Sequence, residues 1–153
     1  MTNTPTIRDI NGNELDSTWI HEFCGFYWGE GCLRAAYRKN GRWGYAFLVC
    51  SQIGLRSDDL GLLEDFQSKL GGNISIDKKS VARWVVADCE SCIRLANVLD
   101  QSIMSASKRR QLKYWKECLD IKRNRPPNGY TYPDEAKERI KSLVEILRQL
   151  KKG

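Results

Sequence analysis

Few side chains in this 153-residue sequence could do chemistry, and the first to stand out is Glu30. It lies near the end of FCGFYWGEG, Phe23 to Gly31, an apolar and aromatic stretch that carries Gly25 and Gly29 four apart. Glycine inside a helix costs about 1 kcal/mol relative to alanine, so two of them need a compensating reason. At i and i+4 they share a face and leave a groove without side chains, into which another backbone can press. Glu30 then emerges as a carboxylate at the foot of a close helix pair. The plainer reading is a solvated carboxylate at a helix end, and the flanking glycines argue against it. Cysteine chemistry has less to support it. Cys89 and Cys92 form a lone CxxC with no second pair and no suitably spaced histidine, His21 being the only one, so they read as small residues at a helix start. Cys24, Cys32, Cys50 and Cys118 sit singly in apolar segments and read as reduced core thiols.

Charge supplies a second line of chemistry. The chain holds 25 Lys and Arg against 19 Asp and Glu, a net +6, which favours a polyanionic partner. The excess is concentrated from Lys122 onward, as a basic tail. A chain of this length that is 41% apolar fits one compact domain with its own core. We divide it into an N-terminal segment (1–16), a core (17–121) and a basic loop with a C-terminal helix (122–153). MTNTPTIRDINGNELD has no apolar signal region, and no later stretch is long enough to span a bilayer. These features predict an intracellular protein, cytoplasmic or organellar, that is neither secreted nor bound to a membrane.

The elements that must position these groups follow from periodicity. Ser17 or Thr18 caps a helix running through Trp28, closed by Gly29 and Gly31. CLRAAYRK then alternates, with Cys32, Arg34, Ala36 and Arg38 on one side and Leu33, Ala35 and Tyr37 on the other. Asn40 and Gly41 read as a hairpin turn into WGYAFLVCSQI. A second helix opens at Ser57 or Asp58, with Leu63, Phe66 and Leu70 on its apolar stripe, widened by Leu60 and Leu62, and ends at Gly71 and Gly72. NISID and SVARWVV form a second hairpin around Lys78 and Lys79. A third helix from Asp88 carries Ile93, Leu95, Ala96, Leu99 and Ile103; a fourth from Ser107 carries Leu112, Trp115, Cys118 and Leu119. After the loop KRNRPPNGYTYP, Pro133 opens a last helix with Ile140, Leu143, Val144, Leu147 and Leu150 as its stripe. Helices separated by antiparallel hairpins make the fold α+β. The spacing of Trp84 and Trp115 places both in the core rather than in base stacking.

FCGFYWGEG, followed by two hairpins separated by a helix, resembles the LAGLIDADG homing endonucleases with one motif per chain. The resemblance covers roughly Trp19 to Ile121, with further support in LRSDDLGLLEDFQSKLGG, ARWVV and SKRRQLKYWKECL. It implies an αββαββα fold with a saddle-shaped antiparallel sheet, here with additional C-terminal helices. In that family the motif helices of two protomers pack at a two-fold axis, which would place Cys24, Gly25, Trp28 and Gly29 at a homodimer interface. Carried over by position, Glu30 is the metal ligand, the backbone carbonyl of Gly29 helps to hold the metal, and Lys108 matches a basic residue bordering the active site. Gln52, counted back from Gly71, matches the polar residue that assists the water. The sequence departs from the family in having Glu30 where aspartate is usual, which keeps the charge and adds a methylene, and Trp28 where an acid is usual.

The resemblance also implies Mg²⁺ (or Mn²⁺) as cofactor and double-stranded DNA as substrate. Hydrolysing a phosphodiester needs an activated water and neutralisation of phosphate charge, which carboxylate-held divalent ions provide. One Glu30 per chain is too few for a two-metal site, but two copies at a dimer axis suffice. A β-ribbon fits the major groove, so the open sheet face is the expected DNA surface. Arg34, Arg38, Lys39, Arg42, Gln52, Arg56, Ser75, Asp77, Lys78, Lys79 and Arg83 are the expected DNA-binding residues, with arginines suited to guanine edges and lysines to phosphates. Two rival readings share the fold: a splicing cofactor (maturase) that binds intron RNA, and a DNA-binding regulator that has lost the chemistry.

Overall fold

The structure, a computed structural model, describes residues 6–39, 45–124 and 132–152. In chain order its elements are α1 (Ser17–Glu30), β1 (Gly31–Lys39), β2 (Tyr45–Arg56), a 3₁₀ turn (Ser57–Asp59), α2 (Leu60–Leu70), β3 (Asn73–Ile76), β4 (Val81–Val86), α3 (Cys89–Leu99), α4 (Ala106–Arg123) and α5 (Asp134–Lys152). The α+β class read from the sequence is the one observed: among the described residues there are five α-helices and a four-stranded antiparallel sheet in the order β1-β2-β4-β3. The expected turn at Asn40 and Gly41, and most of the Pro/Gly loop before α5, lie outside the described residues. No helix among those described is long and apolar enough to cross a membrane.

The chain forms two compact units, each built from two stretches of sequence. The first comprises Met1–Cys32 and Ser51–Ile103. Its core is aromatic: Phe23 meets Phe66 edge-on with ring centroids 4.8 Å apart, and Phe66 packs on Trp84 at 5.5 Å. Trp84 is fully buried and donates its indole N–H to the Gly71 carbonyl at 2.8 Å. Gly72, with φ +91°, lies so close beneath that a Cβ would come within 2.8 Å of the same indole nitrogen. Leu63, Phe66 and Leu70 bury the stripe of α2 as expected, but Leu62 is 41% exposed and does not widen it. Asp88 caps α3 by accepting from the Ser91 amide.

Two boundaries differ from the sequence reading. Helix α1 runs through Gly29 to Glu30 and is closed by Gly31 alone, whose amide bonds back to the Tyr27 carbonyl. Gly31 is already extended (φ −88°, ψ 164°), so helix passes into strand with no intervening loop. A Cβ there would meet the Tyr27 ring at 2.5 Å, so only glycine fits. Helix α3 ends at Leu99, not at Ile103. The polar run Asp100, Gln101, Ser102 turns back, with Gln101 and Ser102 amides donating to the Val98 and Leu99 carbonyls, and Ile103 is left fully exposed.

The second unit comprises Leu33–Cys50 and Met104–Gly153. Trp115 of α4 is fully buried and shares its indole N–H between the carbonyls of Arg34 (3.1 Å) and Cys50 (3.2 Å). Leu112, Cys118 and Leu119 of α4 and Ile140, Leu143, Val144 and Leu147 of α5 are buried, matching their periodicity. Glu117 accepts a two-pronged hydrogen bond from the Arg139 guanidinium, which ties α4 to α5 and holds the carboxyl below its ordinary pKa. All six cysteines are free thiols.

Candidate active site and nucleic-acid interface

The faces of α1 divide cleanly. Ile20, Phe23, Cys24 and Tyr27 are buried, whereas His21, Glu22, Gly25, Gly29 and Glu30 are exposed. A Cβ built at Gly25 or at Gly29 meets nothing within 4 Å, so within this chain neither glycine is needed for packing. Of the other two residues expected at a helix pair, Trp28 is half-buried, donating its indole N–H to the Ser102 hydroxyl at 3.0 Å. Cys24 points inward, where its thiol donates to the Val98 carbonyl and burial pushes its pKa up to about 11.

Glu30 is the last residue of this helix and is exposed. The final carbonyls of the helix, Gly29 among them, have no helical amide four residues on to accept from, because the chain has left the helix at Gly31. The negative end of the helix dipole also lies here. A carboxylate beside helix-end carbonyls is an all-oxygen donor set, which suits a hard divalent cation such as Mg²⁺. Among the described residues no three His, Cys, Asp or Glu gather into a cluster, so one chain supplies only part of a complete ligand shell.

Behind Glu30, the Tyr27 hydroxyl is hydrogen-bonded to that of buried Ser51 on β2. The next residue, Gln52, faces the opposite way. Cross-strand register places Gln52 opposite Val85, which is opposite Asn73; Gly54 opposite Arg83, which is opposite Ser75; and Arg56 opposite Val81. Because side chains alternate, Gln52, Arg56, Ser75 and Arg83 all stand on one face, while Ile53, Ala82, Trp84 and Val86 fill the core on the other. Lys78 and Lys79 are exposed in the turn between β3 and β4.

Asp77 organises that turn. One carboxylate oxygen accepts the amides of Lys79 (2.8 Å) and Val81 (3.1 Å), and the other accepts from the Arg83 guanidinium at 2.7 Å. These donors, Arg83 first, hold its carboxyl below the usual carboxylate range. Sequence reading grouped Asp77 with the DNA-contacting residues and did not see these bonds within its own chain; the only sequence signal is an Asp just before a two-lysine turn.

In the second unit, Arg34 and Arg38 are exposed on β1 and Lys39 ends that strand. Arg42 lies outside the described residues. Lys108 sits half-buried in the first turn of α4, its amide bonded to the capping hydroxyl of Ser105 at 3.2 Å. Gln111, one turn further along the same helix, is buried, and the sequence reading passed over it.

With this geometry in hand, relatives can be compared. No curated protein sequence matches the chain. Its fold is similar to that of the homing endonuclease I-TnaI (TM-score 0.71, 17% identity, covering 90% of this chain and 95% of that one). It is similar too to the homing endonuclease I-CvuI, solved with a target DNA and Mg²⁺ (TM-score 0.73, 19% identity, 89% and 83% covered). A third match is I-SmaMI bound to an uncleaved DNA target with Ca²⁺ (TM-score 0.71, 20% identity), which covers 88% of this chain but 46% of that one, so the chain spans about half of I-SmaMI. Residues 23–119, from the first residue of FCGFYWGEG to the last apolar turns of α4, match the family model for LAGLIDADG endonucleases, and the chain belongs to that family.

Proposed function

We propose that the chain is a site-specific homing endonuclease that acts as a homodimer and breaks both strands of a long, pseudo-palindromic DNA site by metal-dependent hydrolysis. The observation that carries this reading is α1. It presents Gly25 and Gly29 with open space above them, and its last residue is the exposed carboxylate Glu30. A second copy of α1 laid against that face would bring two Glu30 carboxylates together, each serving one DNA strand. The Glu30 carboxylate and the Gly29 carbonyl would hold Mg²⁺ or Mn²⁺, which when bound polarises the phosphate and lowers the pKa of water. Gln52 has an amide that can both donate to and accept from a water, and its neighbour Ser51 is pinned to Tyr27. Lys108, with a fixed positive charge, would offset charge that builds on the phosphate. The exposed strand and turn cations would hold the duplex across the sheet.

The test pairs binding with cutting on the same duplexes. Wild type and Glu30→Gln are bound to a library of DNA sites in Ca²⁺ and then challenged with Mg²⁺. The expected result is near-equal binding by both, linear products from wild type and none from the variant. Cutting by Glu30→Gln at the wild-type rate would remove this carboxylate from the chemistry. Specific binding by wild type without cutting under any divalent ion would favour the regulator, and preference for structured intron RNA the splicing cofactor.

A further inference from the structure

On the open face of the β2-β4-β3 sheet, Arg83 stands at the centre of its row, between Gly54 on one strand and Ser75 on the other. Both neighbours are short, and a Cβ at Gly54 would lie 3.8 Å from the Arg83 stem, in ordinary contact, so neither neighbour covers the arginine. One terminal nitrogen is held by Asp77 at 2.7 Å, and Asp77 is itself fixed by two backbone amides of the turn. A guanidinium has five N–H donors, and those of Arg83 not given to Asp77 have no partner among the described residues. Arginine on an exposed strand ordinarily samples many rotamers. Here the Asp77 anchor favours one arrangement before any ligand arrives, which lowers the cost of binding in one orientation.

The charge balance decides what such a group can read. A phosphate clamp needs net positive charge, and the Asp77 carboxylate beside Arg83 cancels most of it at the distances a phosphate would occupy. What survives is shape: a planar fork of donors on the open face, anchored at one end by Asp77. The matching partner is a pair of adjacent acceptors, which in the major groove is the O6 and N7 edge of guanine. Asp77 is committed to its own chain, one oxygen taking two amides and the other taking Arg83, and its part here is to orient the arginine.

We infer that Arg83 reads one guanine in each half of the DNA target, and that Asp77 is a positioning residue that sets its orientation without touching the DNA. This rests on the proposed reading of the chain as a DNA endonuclease. It separates Arg83 from the exposed turn lysines, which have no such carboxylate anchor among the described residues and supply charge.

The experiment is selection from a library of randomised duplexes in Ca²⁺, followed by titration of the selected site at several salt concentrations. Wild type should show a guanine at one position per half-site. Arg83→Lys, which keeps the charge and the turn but loses the fork, should lose roughly 10- to 100-fold of its discrimination at that position alone. Asp77→Asn keeps an oxygen for the two turn amides but presents an N–H to the guanidinium, so it should lose discrimination at the same position, and the double variant should lose no more than either single one. Arg83→Lys should leave the salt slope nearly unchanged and Asp77→Asn, which uncovers the cation, should steepen it, whereas Lys79→Ala should weaken all sites alike and reduce that slope by about 1. Unchanged base profiles in Arg83→Lys, or loss at scattered positions in Asp77→Asn, would overturn the inference while leaving the endonuclease reading intact. Failure of wild type to select any duplex would overturn both.

Discussion

Replacing Gly25 or Gly29 of α1 by alanine should stabilise the folded chain and weaken its assembly, two effects of opposite sign from one methyl group. Within the chain the added Cβ meets nothing within 4 Å, so it introduces no clash. Alanine is better than glycine inside a helix by about 0.8–1.0 kcal/mol, mainly because the unfolded chain has less freedom to lose. Gly25 is well inside the 14-residue helix and should show the full effect, while Gly29, one residue from its end, should show less. For a chain of about 150 residues, 1 kcal/mol corresponds to a rise of roughly 2–4 °C in Tm. Across the proposed helix pair the same methyl would have no room. Overpacking a close contact costs typically about 1–3 kcal/mol, which is a five- to 150-fold weaker dimer. Sedimentation equilibrium gives the dimer Kd, and thermal unfolding over a range of protein concentrations separates the two terms, because only the dimer contribution depends on concentration. At dilutions where the chain is monomeric, Gly25→Ala should melt above wild type; at high concentration its advantage should shrink or reverse. A lower Tm at all concentrations would mean that the face is occupied within the chain. A gain in Tm with an unchanged dimer Kd would place the subunit contact elsewhere.

Other expectations concern charge, thiols and a single close contact. The carboxyl of Glu117 is lowered from 4.5 in the folded state, chiefly by Arg139, so its stabilising contribution is complete above about 4.5 and is lost as pH falls through the folded value. Relative to Glu117→Gln, wild type should gain about 0.5–1 kcal/mol near neutral pH, measured by urea unfolding, and that gain should vanish in acid. Burial pushes Cys24 up to about 11 and Cys118 up to about 12, so both should resist a thiol reagent at pH 8 that labels half-buried Cys32 and Cys89. Gly31→Ala should be far more damaging than Gly25→Ala, since its methyl would have to displace the Tyr27 ring; equal melting temperatures for the two variants would contradict the packing described.

Much of the architecture was legible because its signals are local. The period of α2 appears in Leu63, Phe66 and Leu70, the alternation of β4 in Ala82, Trp84 and Val86, and all six are buried. Trp84 and Trp115, read as core, are fully buried. Ile103 misled because it falls four residues after Leu99, at helical spacing, while the polar residues between them had already turned the chain. Gly29 read as a helix end because glycine usually marks one, yet the stop belongs to Gly31, where the ring of Tyr27 leaves space for no other residue. At the site, the motif singled out Glu30, which the structure leaves exposed at the end of α1, while the common face of Gln52 and Arg83 follows from the observed register and not from the sequence. The bond from Asp77 to Arg83 was not legible. It closes across a hairpin, and its existence depends on the turn geometry that Asp77 itself maintains.

The interleaving of the two units bears on how the molecule folds. Everything the first unit needs has left the ribosome once Ile103 is free of the exit tunnel, yet the strand segment Leu33–Cys50 belongs to the other unit and must wait for α4 and α5. The bonds from Trp115 to Arg34 and Cys50 span 81 and 65 residues of sequence. Closing loops of that length is entropically slow, and until it happens the Arg34 and Cys50 carbonyls lack the Trp115 indole and Phe47 lacks the Tyr132 ring that they meet in the folded unit. Trp115 fluorescence should therefore report the late phase of refolding, after the signal from Trp84 has settled, and a chain released before α4 is made should be a well-formed first unit carrying an unprotected, aggregation-prone hairpin.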